Sequence, residues 1–186
     1  MTRVIFIRHA ETEMAGRFCG HSDPDVNAQG QVQLAGLAEA LSAETIEGVF
    51  SSDLRRAQST ARAIAAGRKV PVTLRPALRE IHFGEWEGLR WEEIEQMDAE
   101  YARKWVDGYP YVPAPAGESF RDFEARILEE VHRLIDRRLK LIAVVTHAGV
   151  LRVVLRHLQG CSEQEAWQQT QQYCCVVRHE AKGEMQ

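Results

Sequence analysis

The stretch Val4-Ile5-Phe6-Ile7-Arg8-His9-Ala10-Glu11-Thr12 decides the fold, because four apolar residues run straight into an adjacent cation and imidazole. A short continuous apolar run suits a parallel strand covered on both faces, and open α/β sheets bind ligands just beyond the carboxyl ends of such strands. Read alone, the stretch equally describes a strand that happens to end in two polar residues. The run Leu141-Ile142-Ala143-Val144-Val145-Thr146 breaks the tie: it too is apolar almost throughout, and His147-Ala148-Gly149 follows at once. In a parallel sheet both strand ends lie on one rim, with neighbouring strands about 4.8 Å apart, so the two imidazoles can face a shared pocket. The expectation is an α/β three-layer sandwich with a mostly parallel central sheet and helices on both faces, residues 141–146 at its centre.

The rest of the chain fits this alternation. Residues 15–27, which leave His9 directly, are rich in Gly, Asp, Ser and Pro and read as loop. From Ala28, the positions Val32, Leu34, Leu37, Ala38 and Leu41 recur at helical spacing, which predicts an amphipathic helix ending near Ser42. Residues 48–51 read as a second strand, feeding a helix capped by Ser52 or Asp53. Residues 70–74 form a short strand whose Pro71 favours an edge or a strand start. Residues 78–88 read as a structured loop, 91–105 as one helix, and 108–117, with three prolines, as turn. Ser119 caps a long helix with Phe123, Ile127, Val131 and Leu134 on its apolar stripe, ending near Arg138. A helix over 150–158 and a last strand over 173–178 complete the chain.

Composition narrows the function classes. At 186 residues the chain suits a single domain, 1–186, large enough to bury a core without disulfide or metal staples. A net charge of −4, with neither sign gathered into a block, argues against bulk affinity for nucleic acid or membrane. An anionic substrate would therefore have to meet positive charge concentrated at particular arginines. Four cysteines without a C-x-x-C pair predict reduced thiols. No signal-peptide pattern opens the sequence and no run approaches a membrane span, so the cytoplasm is the default expectation.

Four blocks now stand in order: Arg8-His9-Ala10-Glu11-Thr12; Ser52-Asp53-Leu54-Arg55-Arg56-Ala57; Leu78-Arg79-Glu80 with Phe83-Gly84-Glu85-Trp86-Glu87-Gly88; and Thr146-His147-Ala148-Gly149. Together they resemble the histidine phosphatase superfamily, which includes cofactor-dependent phosphoglycerate mutases and α-ribazole phosphatases. The resemblance covers nearly the whole chain. It implies a phosphoglycerate mutase-like fold, a nucleophilic His9 that forms a phosphohistidine, Glu80 as proton donor, and Arg8, Arg56 and His147 as phosphate-binding groups. It also implies that Thr12 and the loop bearing Cys19, Gly20 and His21 contribute to substrate binding, with no metal or other cofactor.

These roles suit phosphoryl transfer, in which charge spreads over equatorial oxygens and fixed cations and donors do most of the stabilising. A guanidinium fork matches phosphate oxygens better than an ammonium does. Attack requires a neutral imidazole, and cationic neighbours disfavour a further charge on His9. The alkoxide of an alkyl ester leaves poorly, so an acid must protonate it. His82 and Trp86, with His21, are further candidates for the walls of a specificity pocket.

The resemblance favours hydrolysis over isomerisation. Residues 88–117 are short and acidic where mutases of the family carry a longer basic segment, and Phe83 and Ala15 stand where mutases tend to have tyrosine and asparagine. Ala10 and Ala148 replace glycines common in the family, each expected to bring a methyl group beside the phosphate. A phosphoglycerate mutase is the alternative, and a non-catalytic phosphate-binding protein a weaker one, since all five site residues are present. A zinc hydrolase, suggested by His9-Ala10-Glu11, lacks the downstream P-C-x-x-C ligands. The expected partner is a small phosphorylated substrate, not nucleic acid or membrane; association as a homodimer is left open.

Overall fold

The computed structural model describes residues 2–180. In chain order it contains β1 (Arg3–Arg8), α1 (Ala28–Ala40), β2 (Gly48–Ser51), α2 (Arg55–Ala65), β3 (Val72–Leu74), α3 (Trp91–Met97), α4 (Ala99–Asp107), α5 (Phe120–Ile135), β4 (Leu141–Thr146), α6 (Ala148–Gln159), α7 (Glu163–Gln169) and β5 (Val176–Glu180). The five strands form one sheet in the order β3-β2-β4-β1-β5, parallel except for β5, which runs antiparallel to β1.

Alternation along the two strands explains why residues 4–7 and 141–145 include no polar side chain. Val4, Phe6, Ile142 and Val144 pack on one face against Phe123, Ile127 and Val131 of α5 and Val150 and Val154 of α6. Ile5, Ile7, Ala143 and Val145 face the other way, against Leu37 of α1 and Ala57, Ala61 and Ile64 of α2. Both faces are covered, so a polar side chain on either would lose its water. β4 lies between β1 and β2 at the centre of the sheet, and β3, preceded by Pro71, lies at an edge. A third apolar cluster, Trp86, Ile94, Ala102 and Ala114 with Phe18, Phe83 and Trp105 against it, sits apart from the sheet.

Several expectations are corrected. The helix expected over 91–105 is two, broken at Asp98, whose side chain accepts the Tyr101 N–H and caps α4. Neither Ser52 nor Asp53 is the N-cap of α2: Leu54 holds that position, the Asp53 carboxylate pairs with Arg79, and the Ser52 hydroxyl meets His147. Val32 is 66% exposed, so the apolar stripe of α1 is narrower than its spacing suggests. α5 stops at Ile135, short of Arg138. The last strand starts at Val176, which leaves Tyr173 in the loop before it, and α7 lies in a region where no helix was expected.

Candidate active site

Register delivers the two histidines. Arg8 pairs with Thr146 at the ends of β1 and β4, so His9 and His147 leave the sheet side by side, ring centroids 5.0 Å apart. Both are buried. His9 Nδ1 lies 2.7 Å from the Ala10 carbonyl, which assigns the proton to Nδ1 and leaves a lone pair on Nε2. Arg56 Nε donates to that Nε2 at 3.2 Å. Burial, then the charge of Arg56, holds the His9 pKa well below the ordinary histidine value. His147 is lowered well below it for the same reasons, burial again leading.

Ser52, one residue beyond β2, places its hydroxyl 2.9 Å from His147 Nε2 and accepts the Leu54 N–H. We assign the Ser52 hydroxyl as donor to Nε2, which puts the His147 proton on Nδ1. Among the described residues only two buried side-chain nitrogens lack a hydrogen-bond partner, His147 Nδ1 and Arg8 Nε. Arg8 spends both Nη1 hydrogens on the carbonyls of Thr170 and Gln171, and its guanidinium lies over the Tyr173 ring at 4.1 Å.

Arg56 is fully buried. Its Nη1 donates to the Ser22 carbonyl at 2.7 Å, and its Nη2 to those of Cys19 at 3.2 Å and Gly20 at 2.8 Å. Of five N–H groups, one on Nη1 is unused and one is directed at His9. Glu87 grips the same loop from the other side: its carboxylate accepts the N–H groups of Gly20, His21, Ser22 and Phe83 and the Ser22 hydroxyl. Burial works to raise the Glu87 pKa, but these hydrogen bonds outweigh it and the net shift is downward. Gly20 is required by close approach, since a Cβ there would come within 2.2 Å of the Ile81 carbonyl oxygen.

Glu80 closes the site from the loop after β3. Its carboxylate accepts the N–H of Ile81 at 3.1 Å and of Gly149, in the first turn of α6, at 3.0 Å. A cavity of about 450 Å³ is walled by Arg8, His9, Thr12, Cys19, Glu80 and Ala148, with Tyr173 and Trp91 at its sides. A smaller one, about 170 Å³, is lined by Trp105, Tyr109, Val112, Pro113 and Phe120. Glu80, Phe18, Phe83, Arg152 and Trp167 line both, so the second is an apolar annex behind the carboxylate.

A family model described as the histidine phosphatase superfamily (branch 1) matches residues 4–186. The chain belongs to that superfamily. It is 33% identical to the adenosylcobalamin/alpha-ribazole phosphatase of Escherichia coli (strain K12), over 89% of this chain and 83% of that protein. It is also 33% identical to phosphoserine phosphatase 1 of Hydrogenobacter thermophilus, over 90% and 81%. The crystal structure of the alpha-ribazole phosphatase from Shigella flexneri superposes with a TM-score of 0.86 at 31% identity, covering 95% of this chain and 89% of that one.

In this superfamily member the residues singled out from sequence do not all reach the cavity. Arg8, His9, Thr12, Cys19 and Glu80 line it, and His147 lies directly beneath, against His9. Gly20 and His21 are not among its walls: Gly20 packs on Ile81 and Glu87, and His21 Nε2 lies 3.1 Å from the Glu80 carbonyl. Arg56 is likewise behind the wall, reached through His9. His82 lines the annex, whereas Trp86 is buried in the third cluster. Of the two alanines, only Ala148 puts its methyl group on the cavity wall; Ala10 is fully buried, its N–H bonded to Thr60. Sequence reading missed Tyr173, Arg152 and the part played by Glu87. No local pattern marks them, since each acts across the fold.

Among the described residues no group of three or more His, Cys, Asp or Glu is arranged to hold a metal ion. Nor is any helix there long and apolar enough to cross a membrane.

Proposed function

We propose that the chain is a metal-independent phosphomonoesterase that works through a phosphohistidine on His9, with Glu80 as proton donor and a small phosphorylated metabolite as substrate. The observation that carries this reading is the pair of orphaned donors. A buried N–H without a partner costs about 1–3 kcal/mol, so two at one place call for an acceptor. Arg8 lines the cavity beside His9 and His147 lies against the His9 ring, so a phosphoryl group in line with His9 Nε2 would bring acceptor oxygens toward both donors. The same oxygens would take the Arg56 Nε–H now spent on His9.

The step is an in-line displacement. The Nε2 lone pair of His9 forms the N–P bond as the P–O ester bond breaks, and the Glu80 carboxyl proton passes to the leaving oxygen. Water then attacks phosphorus and gives its proton to the Glu80 carboxylate. The N–P bond breaks, its electron pair returns to Nε2, and phosphate departs. The depressed pKa of His9 keeps the nucleophile neutral between turnovers.

The annex behind Glu80 supports an alcohol with an apolar, planar portion. Its aromatic and proline walls suit α-ribazole phosphate, a benzimidazole riboside ester, better than a small zwitterionic alcohol such as serine. The test is hydrolysis of both esters in chelator by wild type and His9→Ala, with alkaline-quench trapping of the phosphoenzyme, since the N–P bond is acid-labile, and a parallel assay of phosphoglycerate isomerisation primed with bisphosphoglycerate. Chelator-resistant hydrolysis, a trapped phosphohistidine and no activity in His9→Ala are expected. Hydrolysis by His9→Ala would sink the covalent route; fast isomerisation would make the chain a mutase; a preference for phosphoserine would overturn the substrate assignment.

A further inference from the structure

We propose that Arg126 is a positioning residue for the acid: it holds Glu80 at the leaving oxygen without touching substrate. The inference rests on the reading of Glu80 as proton donor. Arg126 lies in the middle of α5, and all five of its N–H groups are engaged. Nη1 donates to the carbonyls of Ala77 at 2.9 Å and Arg79 at 2.8 Å, and Nη2 to that of Glu80 itself at 3.0 Å. Nε and Nη2 pair with the two carboxylate oxygens of Glu118 at 2.7 and 2.8 Å. The guanidinium also lies over the Phe123 ring, 4.9 Å away. It is a wall of neither cavity.

What Arg126 grips is the segment that bears the acid. Residues 79–83 carry no helix or strand, so no ladder of backbone bonds fixes Glu80 in space. The tether comes mainly from side chains. Glu118, anchored by Arg126, accepts the His82 N–H at 3.3 Å, while its own N–H donates to the His82 carbonyl at 2.9 Å. His21 Nε2, 3.1 Å from the Glu80 carbonyl, is the second side chain placed to donate to that oxygen. A planar fork that reaches three carbonyls and a carboxylate at once has no equivalent in lysine, whose ammonium offers three donors from one point. Sub-ångström placement of a proton donor is what general-acid catalysis demands, so the fork tunes protonation and leaves nucleophilic attack alone.

A purely structural arginine would slow all substrates alike; a positioning one would slow only those that need the proton. The experiment measures kcat/KM across a leaving-group series, from p-nitrophenyl phosphate, whose phenolate departs unassisted, to simple alkyl phosphates. It compares wild type, Glu80→Gln, Arg126→Met, Arg126→Lys and Arg126→Ala. Arg126→Met is expected to lose about 10²-fold on alkyl esters and less than about threefold on p-nitrophenyl phosphate, within the range a general acid supplies. Added guanidinium ion should restore part of the alkyl activity in Arg126→Ala. Should Arg126→Met fail to fold, Arg126→Lys keeps stem and charge, and the same comparison is read on it. Uniform losses across the series, or none, beside a steepened dependence in Glu80→Gln would overturn the role of Arg126 and leave the acid standing. A flat dependence in Glu80→Gln would overturn the acid, and the positioning role with it.

Discussion

Gly149→Ala is the sharpest perturbation the site offers, because it adds one methyl group at a known distance from one carboxylate. A Cβ built on Gly149 lies 2.2 Å from Glu80 Oε1 and 3.1 Å from its Cδ. To reach ordinary contact at 3.4 Å the oxygen must retreat by about 1.2 Å, and the 3.0 Å bond from the Gly149 N–H to Oε2 is strained as it goes. The backbone does not resist the change: Gly149 is in the first turn of α6, where alanine is the better helix former by about 1 kcal/mol. The substitution therefore spares the fold and moves the acid. A misplacement of about 1 Å can cost about 10²-fold, so kcat/KM on an alkyl phosphate should fall by about that factor, or about 2.7 kcal/mol of transition-state stabilisation. Steady-state phosphate release gives the rate, and a thermal melt checks that stability is kept. Activity within about threefold of wild type, in a variant that melts normally, would refute the placement of Glu80 as the proton donor.

Stability should depend on pH through the two buried histidines. Their folded pKa values lie below the ordinary 6.5, so on acidification the unfolded chain takes up protons that the fold refuses; stability is full above that value and falls as pH drops below it. Urea titrations should show a loss of about 1.4 kcal/mol per pH unit for each ring, and His147→Asn should remove about one ring's share of that slope. For the same reason kcat/KM should not fall through protonation of His9 as pH drops through the ordinary histidine value; an acid limb there that moves to higher pH on weakening Arg56 would contradict this. Glu87→Ala strips the acceptor from four loop N–H groups, and a loss of about 3 kcal/mol by chemical denaturation is expected; less than about 1 kcal/mol would mean that water satisfies them. Trp105→Ala should lower kcat/KM for an ester with an aromatic alcohol by about 10-fold or more while sparing a small alkyl phosphate, and equal effects on both would remove the annex from substrate recognition.

The sheet was legible because its two central strands are apolar on both faces, a pattern that Val4 to Ile7 and Leu141 to Val145 satisfy without exception. The meeting of the two histidines followed from the same logic, since register carries His9 to His147. Helix α7 was not legible from periodicity, as only Ala166 of its seven residues is buried, yet Ser162 and Glu165 form a capping box that marks its start. The break between α3 and α4 rests on Asp98, a helix-starting residue inside a stretch that otherwise reads as one helix. Arg56 was singled out by its block, but the carbonyls it holds belong to a loop 34 to 37 residues away in sequence.

These differences divide the site into two halves with different physics. His9, His147 and Ser52 ride on strand ends, so their spacing is a consequence of the sheet and only a slipped register would alter it. Glu80, the loop bearing Cys19 and Ser22, and the segment around Trp105 have no such frame; Arg56, Glu87 and Arg126 hold the first two by multidentate bonds, and an aromatic cluster holds the third. Substitution of His9 in the strand-borne half should abolish phosphoryl transfer outright, because nothing else supplies a lone pair in that position. Substitutions in the loop-borne half should change which alcohol departs and how well it is protonated, while p-nitrophenyl phosphate continues to turn over. On the proposed function, this chain carries its phosphate-transfer chemistry on a rigid rim, and its acid and leaving-group pocket on loops held by charged clasps.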